Sequence, residues 1–208
     1  MEPGTRRSPS PPAGVPTLCG TLRVTGNQDA DTLLNTDPLA LLLGMLLDQQ
    51  VPMEWAFRAP HVLRTRLGKL DVAGIVAAGP EALEAAFRSK PALHRFPSSM
   101  AKRAYAMCEF LLENHPAGPM ELWREVDNGE ELYTRIRALP GYGDEKAKIF
   151  LALLAKRFGV RPDGWQHFAG AFADDTPRSV ADIDSAEALA SVRAWKKQQK
   201  AKGKTKQD

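Results

Sequence analysis

Residues 139–150 read LPGYGDEKAKIF, and this stretch decides which fold the sequence predicts. The helical run GEELYTRIRAL leads into it and KAKIFLALLAKRF leads out of it, so it joins two helices through a tight turn. Gly141 and Gly143 can take positive φ angles and let another backbone approach closely. Amides at the start of a helix bind anions, so phosphate is an expected ligand, although ordinary glycine-rich turns also join helices.

Helix signals fill most of the remaining sequence. Asp37, followed by proline, predicts the start of the apolar helix LALLLGMLLDQQ, which a Val-Pro pair ends. Pro60 is expected to interrupt or kink the next helix. A Gly/Pro break lies at residues 159–162, and a final helix is predicted near residues 185–199. Only residues 21–25 (TLRVT) have strand character, and a lone strand has no sheet to join, so the chain is expected to be all-α.

Composition limits the class of protein. The chain has 208 residues, 43% of them hydrophobic, but no apolar run near the eighteen or so of a membrane span. Residues 1–17 are rich in Pro and Ser, lack the apolar centre of a signal peptide and are expected to be a disordered arm. Two cysteines, Cys19 and Cys108, indicate a reduced, cytoplasmic setting and exclude a cluster held by four cysteines of this chain. The expected organisation is one domain over residues 18–180, then a C-terminal helix and basic tail over 181–208.

Charge is distributed unevenly along the chain. The net charge is +3, but residues 193–208 carry +6 and residues 1–192 therefore carry −3. The basic tail is either a loose nucleic-acid contact, acting by counterion release, or a solvated terminus. Local positive charge in the body consists of Arg88, Lys90, Arg95, Lys102 and Arg103, without an acidic residue among them, and of Lys146, Lys148, Lys156, Arg157 and Arg161.

The hairpin resembles the helix-hairpin-helix of DNA glycosylases in the endonuclease III-like (HhH-GPD) superfamily. There, a Gly/Pro-rich loop and a catalytic Asp follow the hairpin, with the Asp eighteen residues beyond a Lys. Here Glu145 occupies the Lys position, and Asp163 in VRPDGW stands eighteen residues further. The segment LLDQQ resembles the family's L-L-S-x-Q, whose Gln reaches into DNA and matches Gln50. SSMAKRAYAMCEFL is a weaker match to the family's S-x-K-A-x-x-I helix, and the similarity covers about residues 30–170.

This resemblance implies a two-lobed helical fold and base-excision repair of double-stranded DNA. With Glu145 in place of the family's Lys, it implies a monofunctional glycosylase that hydrolyses the base–sugar bond without cleaving the strand. Asp163 would stabilise the oxocarbenium-like sugar and orient water. Alternatively, Asp163 only caps the helix that begins at Gly164-Trp165. Gln50 would fill the gap left by a flipped base, unless it and Gln49 merely end a helix.

Further expectations concern ligands and partners. The residues expected to contact DNA are Gln49, Gln50, Gly141, Tyr142, Gly143, Lys146, Lys148 and Lys102, with Glu145 as an acid–base group or a surface carboxylate. No metal constellation is present in the sequence, and the resemblance implies no iron–sulfur cluster but a possible monovalent cation at the hairpin. A monomer without membrane contact is expected. Two alternatives stay open: a damage-binding module of the same fold without turnover, and a lyase that uses Lys146.

Overall fold

A computed structural model of the chain describes residues 18–203, 205 and 207. Over these residues the protein is all-helical, with ten α-helices, three short 3-10 helices and no strand, which confirms the expected class. The expected disordered arm, residues 1–17, lies outside this range. The α-helices are α1 Gln28–Thr36, α2 Pro38–Leu47, α3 Met53–Leu67, α4 Val72–Ala78, α5 Pro80–Arg88, α6 Pro97–Asn114, α7 Gly129–Arg137, α8 Asp144–Arg157, α9 Trp165–Ala169 and α10 Ala186–Ala201. The 3-10 helices are Pro119–Leu122, Gly170–Ala173 and Val180–Asp182.

Helix α2 lies at the centre of the fold. Every residue from Leu39 to Leu47 is buried, as expected for a helix that is apolar on all sides. Asp37 caps its start, because one carboxylate oxygen accepts the N–H groups of Leu39 (2.9 Å) and Ala40 (3.1 Å). The predicted start of this helix is therefore confirmed.

Two groups of helices surround α2. In the first, α3 packs on α2 and α5, and α4 and α5 pack on α6. In the second, α7, α8 and α9 pack on one another, and the 3-10 helix Val180–Asp182 packs on both α8 and α10. The expected boundary between residues 180 and 181 falls inside this 3-10 helix, which links the C-terminal helix to the body.

The segment with strand character, residues 21–25, is extended but joins no strand among the described residues. It buries Leu22 and Val24, and side chains of α1 bond its backbone in place of a partner strand. Asn35 accepts the Leu22 N–H (2.9 Å) and donates to the Leu22 carbonyl (2.8 Å), and Asp31 accepts the Val24 N–H (3.1 Å). These contacts satisfy polar groups that a sheet would otherwise have to satisfy.

The expected interruption at Pro60 is wrong. Helix α3 continues through Pro60, although proline removes one helical hydrogen bond at a cost of about 3 kcal/mol. The helix persists because Pro60 and its neighbours Ala56, Phe57 and Leu63 are buried, and tertiary packing outweighs local propensity. Residues 120–126 (MELWREV) form no α-helix, and only the short 3-10 helix Pro119–Leu122 extends into them.

Among the residues that the structure describes, no single helix is long and apolar enough to cross a bilayer. Helices α1 and α2 together meet the length and composition, but they are bent by 112° relative to each other.

The hairpin between α7 and α8 uses its two exposed glycines differently. Gly141 has φ +86°, and a Cβ there would lie 2.5 Å from Leu46 Cδ1, so this position requires glycine on both counts. Gly143 has φ −75° and precedes α8, and a Cβ there would meet nothing within 4 Å. Of the two glycines, only Gly141 therefore uses the positive φ that glycine permits.

We predict opposite tolerances at these two positions. Gly141→Ala should lower the free energy of unfolding by about 1–3 kcal/mol, because it combines left-handed strain with a contact to Leu46. Gly143→Ala should stay within about 0.5 kcal/mol of wild type or be slightly more stable, because its backbone suits any residue. Urea denaturation of both variants measures this difference. Equal losses would show that the two φ angles are not as described.

Candidate nucleic-acid interface

The carbonyls at the buried C-terminal end of α2 accept hydrogen bonds from three donors. Lys146 Nζ, from α8, donates to the carbonyls of Met45 (2.6 Å) and Leu46 (2.8 Å). Gln49 Nε2 also donates to Leu46 O (2.9 Å), and the Asp48 N–H donates to the Gly44 carbonyl (3.1 Å). A buried helix end needs such partners, and a cation suits its negative pole. Lys146 therefore serves as a helix cap supplied by a distant helix.

The hairpin docks on α2 through Tyr142. This side chain is only 2% exposed, and its hydroxyl donates to the Leu42 carbonyl (2.8 Å). Burial raises the pKa of Tyr142 well above its usual value, so the phenol stays a neutral donor. The expected contact of the Tyr142 side chain with DNA is thus incompatible with its position, because the ring supports the turn from inside the core.

Gln50 follows α2 in an uncommon backbone conformation. Its φ is +56°, in the left-handed region that residues other than glycine seldom adopt and that costs of order 1–3 kcal/mol. Its side chain is exposed and makes no hydrogen bond with the residues that the structure describes. Such strain persists only where the surroundings fix it, and it is concentrated at functional sites.

Two contacts fix the backbone just before Gln50. The buried His94, 1% exposed, lies 3.0 Å through Nε2 from the Gln49 carbonyl, and its Nδ1 accepts the Phe96 N–H (3.0 Å). Because Nδ1 accepts, Nε2 carries the proton and donates to Gln49. Burial lowers the pKa of His94, and the charges of Lys146 and Arg103 lower it further. A neutral imidazole thus anchors the segment.

The Gln49 side chain is occupied within the fold. Its Oε1 accepts from Arg103 Nη1 (2.9 Å), and its Nε2 lies 3.4 Å from Met100 Sδ besides bonding Leu46 O. The bond to Leu46 O fits the alternative that Gln49 ends the helix. A DNA contact by Gln49 would require breaking these bonds, so Gln50 is the better-placed glutamine.

Asp163 is positioned by the start of α7. Its carbonyl accepts the Gly129 N–H (2.7 Å), and a Cβ on Gly129 would lie 2.5 Å from Trp165 Cα, so the two backbones touch. The Asp163 carboxylate is exposed and has no hydrogen-bond or ion-pair partner in the described part of the chain. Helix α9 begins after Gly164 without a side-chain cap, so the expectation that Asp163 caps it is wrong.

The two expected catalytic carboxylates lie on different elements. Asp163 precedes α9 and accepts the N–H of the first residue of α7 through its carbonyl, whereas Glu145 follows the hairpin on α8. Tyr133, near the middle of α7, bonds Asp144 and stacks on Phe168 of α9, so one side chain contacts both segments. Glu145 is half-buried in the first turn of α8.

Asp144, next to the hairpin amides, is held by neighbouring side chains. It accepts the Tyr133 hydroxyl (2.5 Å) and pairs with Lys148 (3.0 Å). The hydrogen bond from Tyr133, and then that from Lys148, lower the pKa of Asp144. Lys148 therefore offsets a negative charge beside the hairpin, and its role as an independent phosphate ligand is correspondingly weaker.

Two exposed aromatic side chains that the sequence analysis did not identify lie beside His94, the residue that anchors the segment before Gln50. Phe96 is 42% exposed and Trp55 38% exposed, and their ring centroids lie 6.1 and 6.4 Å from that of His94. Trp165, two residues after Asp163, is buried, whereas Trp55 is exposed. No local signal separates the two, because exposure depends on distant packing. The exposed cations Arg95, Lys102 and Arg103 lie close to Phe96 in the sequence.

Cation binding at the hairpin is disfavoured by the chain itself. Arg137 Nη1 donates to the Tyr142 carbonyl (3.1 Å), and the Leu139 carbonyl accepts the Tyr142 N–H (3.0 Å). A guanidinium already lies at the turn, so its carbonyls are a poor fit for a second cation. Within the described residues, no group of three His, Cys, Asp or Glu side chains is placed to hold a metal ion.

We predict that Lys146→Met destabilises the fold. The variant keeps the length of the side chain but removes the donor to two buried carbonyls, which should cost about 1–3 kcal/mol of unfolding free energy. Lys148→Met is the matched control, because its partly exposed pair with Asp144 is worth at most about 1 kcal/mol. Urea denaturation of both variants tests this, and a Lys146→Met loss no larger than that of the control would contradict the capping role.

We predict that His94 makes stability depend on pH. Since its pKa is lowered in the fold, the unfolded chain binds a proton first as pH falls. The stabilisation is present above the ordinary histidine pKa of about 6.5 and is lost progressively below it. His94→Gln, which retains a donor and an acceptor but does not titrate, should lose less unfolding free energy between pH 7.5 and 5.5 than wild type. Parallel losses in both proteins would exclude His94 as the source; His115, whose pKa is also lowered by burial, is present in both.

Comparison of the chain with protein-family models, with curated proteins and with solved structures finds no match. The function of the hairpin, of Gln50 and of Asp163 is therefore inferred from their own chemistry and contacts.

Proposed function

We propose that the protein binds duplex DNA with the hairpin and probes it with Gln50. The observation that carries this proposal is the junction at the end of α2. Lys146 and Tyr142 join the hairpin to the helix whose last turn leads into Gln50, so two segments more than ninety residues apart form one rigid unit. A turn that grips a phosphate would thereby hold Gln50 at a fixed place on the duplex.

Phosphate would bind at the start of α8. Helix α8 has no side-chain cap, so the amides of its first turn are available to an anion. The absence of any described atom within 4 Å of a Cβ on Gly143 leaves room for a phosphate oxygen. The charge of Asp144 opposes an anion there, but its bonds to Lys148 and Tyr133 reduce that effect.

Gln50 is suited to act on a base. A glutamine amide can both donate to and accept from the edge of a base, and flipping a base costs a few kcal/mol that replacement contacts must offset. The left-handed backbone at Gln50 presents this side chain to solvent. Phe96 and Trp55 offer exposed rings nearby, and base–aromatic stacking contributes about 1–3 kcal/mol per base.

The reaction that we propose is hydrolysis of the base–sugar bond by a two-lobed HhH-GPD glycosylase. The bond from C1′ to the base nitrogen breaks, water adds to C1′, and the proton that water loses ends on the base. The Asp163 carboxylate, exposed and without a described partner, would stabilise the positive sugar and orient the water. Lys146 would not attack C1′, because its ammonium is bonded to two carbonyls, and this supports hydrolysis over lyase chemistry.

A second candidate is a damage-binding module without turnover. It is favoured by Glu145, which stands where the family has its catalytic Lys, and by the bonds of the neighbouring Lys146 to two carbonyls, so that neither residue supplies a nucleophile. Both candidates use the same hairpin and the same Gln50.

We predict base release by wild type and its loss in Asp163→Asn. Duplexes with one alkylpurine, oxidised purine, uracil or mismatch are incubated with each protein, and hot alkali then reveals abasic sites. For the duplex that wild type processes, Asp163→Asn should be at least about 100-fold slower while still binding. Asp29→Asn is the control, because Asp29 is an exposed carboxylate at the first turn of α1.

Each result of this assay selects one candidate. Release by wild type and by Asp29→Asn alone identifies a glycosylase and its substrate class. Tight binding to one duplex without release by any protein identifies the damage-binding module. No binding to any duplex contradicts both candidates.

A further inference from the structure

The C-terminal helix α10 is docked on the body of the protein beside Gln50. Val192 is buried, and the Arg178 guanidinium lies 5.3 Å from the ring centroid of Trp195. Arg193 pairs with Glu54, and Lys196 Nζ lies 3.1 Å from Met53 Sδ, so α10 is fastened to the first turn of α3. Its position is therefore set by the fold.

A cleft of about 520 Å³ lies between α10 and the segment that follows α2. One wall consists of residues 48–54, which include Gln50 and the carboxylates of Asp48 and Glu54, and the other contains Arg193 and Lys196. The side chain that we expect to probe the duplex thus faces cations of α10 across an open cleft. A strand whose base meets Gln50 would bring its phosphates close to that second wall.

Four cations form a stripe along α10. Arg193, Lys196, Lys197 and Lys200 follow the spacing i, i+3, i+4 and i+7, so they share one side of the helix. We call these four residues the basic stripe. Like charges at i, i+4 destabilise a helix, and no acidic residue occurs between positions 188 and 207. Glu54 of α3 pairs with Arg193 and offsets one of the four charges. Only Lys200 lies in the last turn, where the helix dipole itself favours a cation.

We propose that the basic stripe binds the phosphates that flank the nucleotide facing Gln50. This rests on the proposed binding of duplex DNA and adds α10 to it as a second binding element. From Arg193 to Lys200 the helix rises about 10 Å, and over that length of duplex axis one DNA strand carries about three phosphates, one per 3.4 Å. The repulsion along the stripe is relieved when phosphates neutralise it, so the sequence of α10 is suited to an extended polyanion.

Lys197 and Lys200 are the residues to test, because both are exposed and neither fastens α10 to the body. Affinity for a short duplex with a central abasic-site analogue is measured from 50 to 200 mM KCl, for wild type and for Lys197→Gln/Lys200→Gln. Each lost phosphate contact should reduce the salt slope by about 0.9, so the double variant should lose about 1.8. Over this four-fold range, wild type should then lose about twelve-fold more affinity than the variant.

Ethylation of single phosphates in the same duplex gives the position. Ethyl groups within about three steps of the abasic analogue should weaken binding by wild type, and part of that interference should disappear in the double variant. Lys69→Gln is the control: Lys69 is exposed and follows α3, whose fifteen residues place it about 22 Å from the cleft. Its salt slope should equal that of wild type.

Failure of this proposal differs from failure of the proposed function. If wild type binds the duplex but the double variant has the same slope and the same interference pattern, the basic stripe does not contact DNA, and the hairpin proposal stands. If the slope falls equally in Lys69→Gln, only total charge matters and the stripe is not a site. If wild type binds no duplex, both proposals are wrong. Thermal unfolding that is unchanged in the double variant verifies that α10 remains docked.

Discussion

The bond between the Lys146 ammonium and the last carbonyls of α2 connects the parts of this protein that carry its candidate function. Helix α2 is apolar and buried, so its C-terminal carbonyls cannot turn to water and must find donors within the protein. Lys146 comes from the first turn of α8 and meets two of them. The hairpin is consequently fixed to α2 through a polar contact, and Tyr142 and Leu46 complete the junction with apolar packing.

The strained backbone at Gln50 follows from this junction. Lys146 and the Gln49 amide end α2 at Leu47, and His94 then holds the Gln49 carbonyl from the opposite helix group. With the chain fixed on both sides, the next residue turns through the left-handed region before Pro52 begins the path into α3. The contact with α2 also depends on the position of the lysine along α8. Lys146 faces α2, whereas residue 145 points about 100° away around the helix and is a glutamate.

Local signals predicted the all-helical class and several helix ends, whereas contacts between distant residues decided what local signals could not predict. Asp37 caps α2 and glycine–proline pairs delimit helices because caps and breakers act on their own neighbours. The expected interruption at Pro60 is absent because burial of α3 outweighs the local cost of a proline within a helix. In the site, hairpin and Gln50 were recognisable as short patterns, but the burial of Tyr142 depends on a carbonyl one hundred residues away. The anchoring role of His94 could not be predicted from the sequence, because His94 bonds a residue forty-five positions away, Gln49.

The close contact of Gly129 with the backbone of Trp165 fixes one end of α7 against the loop before α9. One end of this helix is pressed against the loop that carries Asp163, with no room for even a methyl group, and the other end runs into the hairpin. In the proposed DNA complex, the spacing between a phosphate at the hairpin and a sugar at Asp163 would depend on the number of residues in α7. One helical turn more or less would change that spacing by up to about 5.4 Å, which exceeds the 3.4 Å rise of one nucleotide.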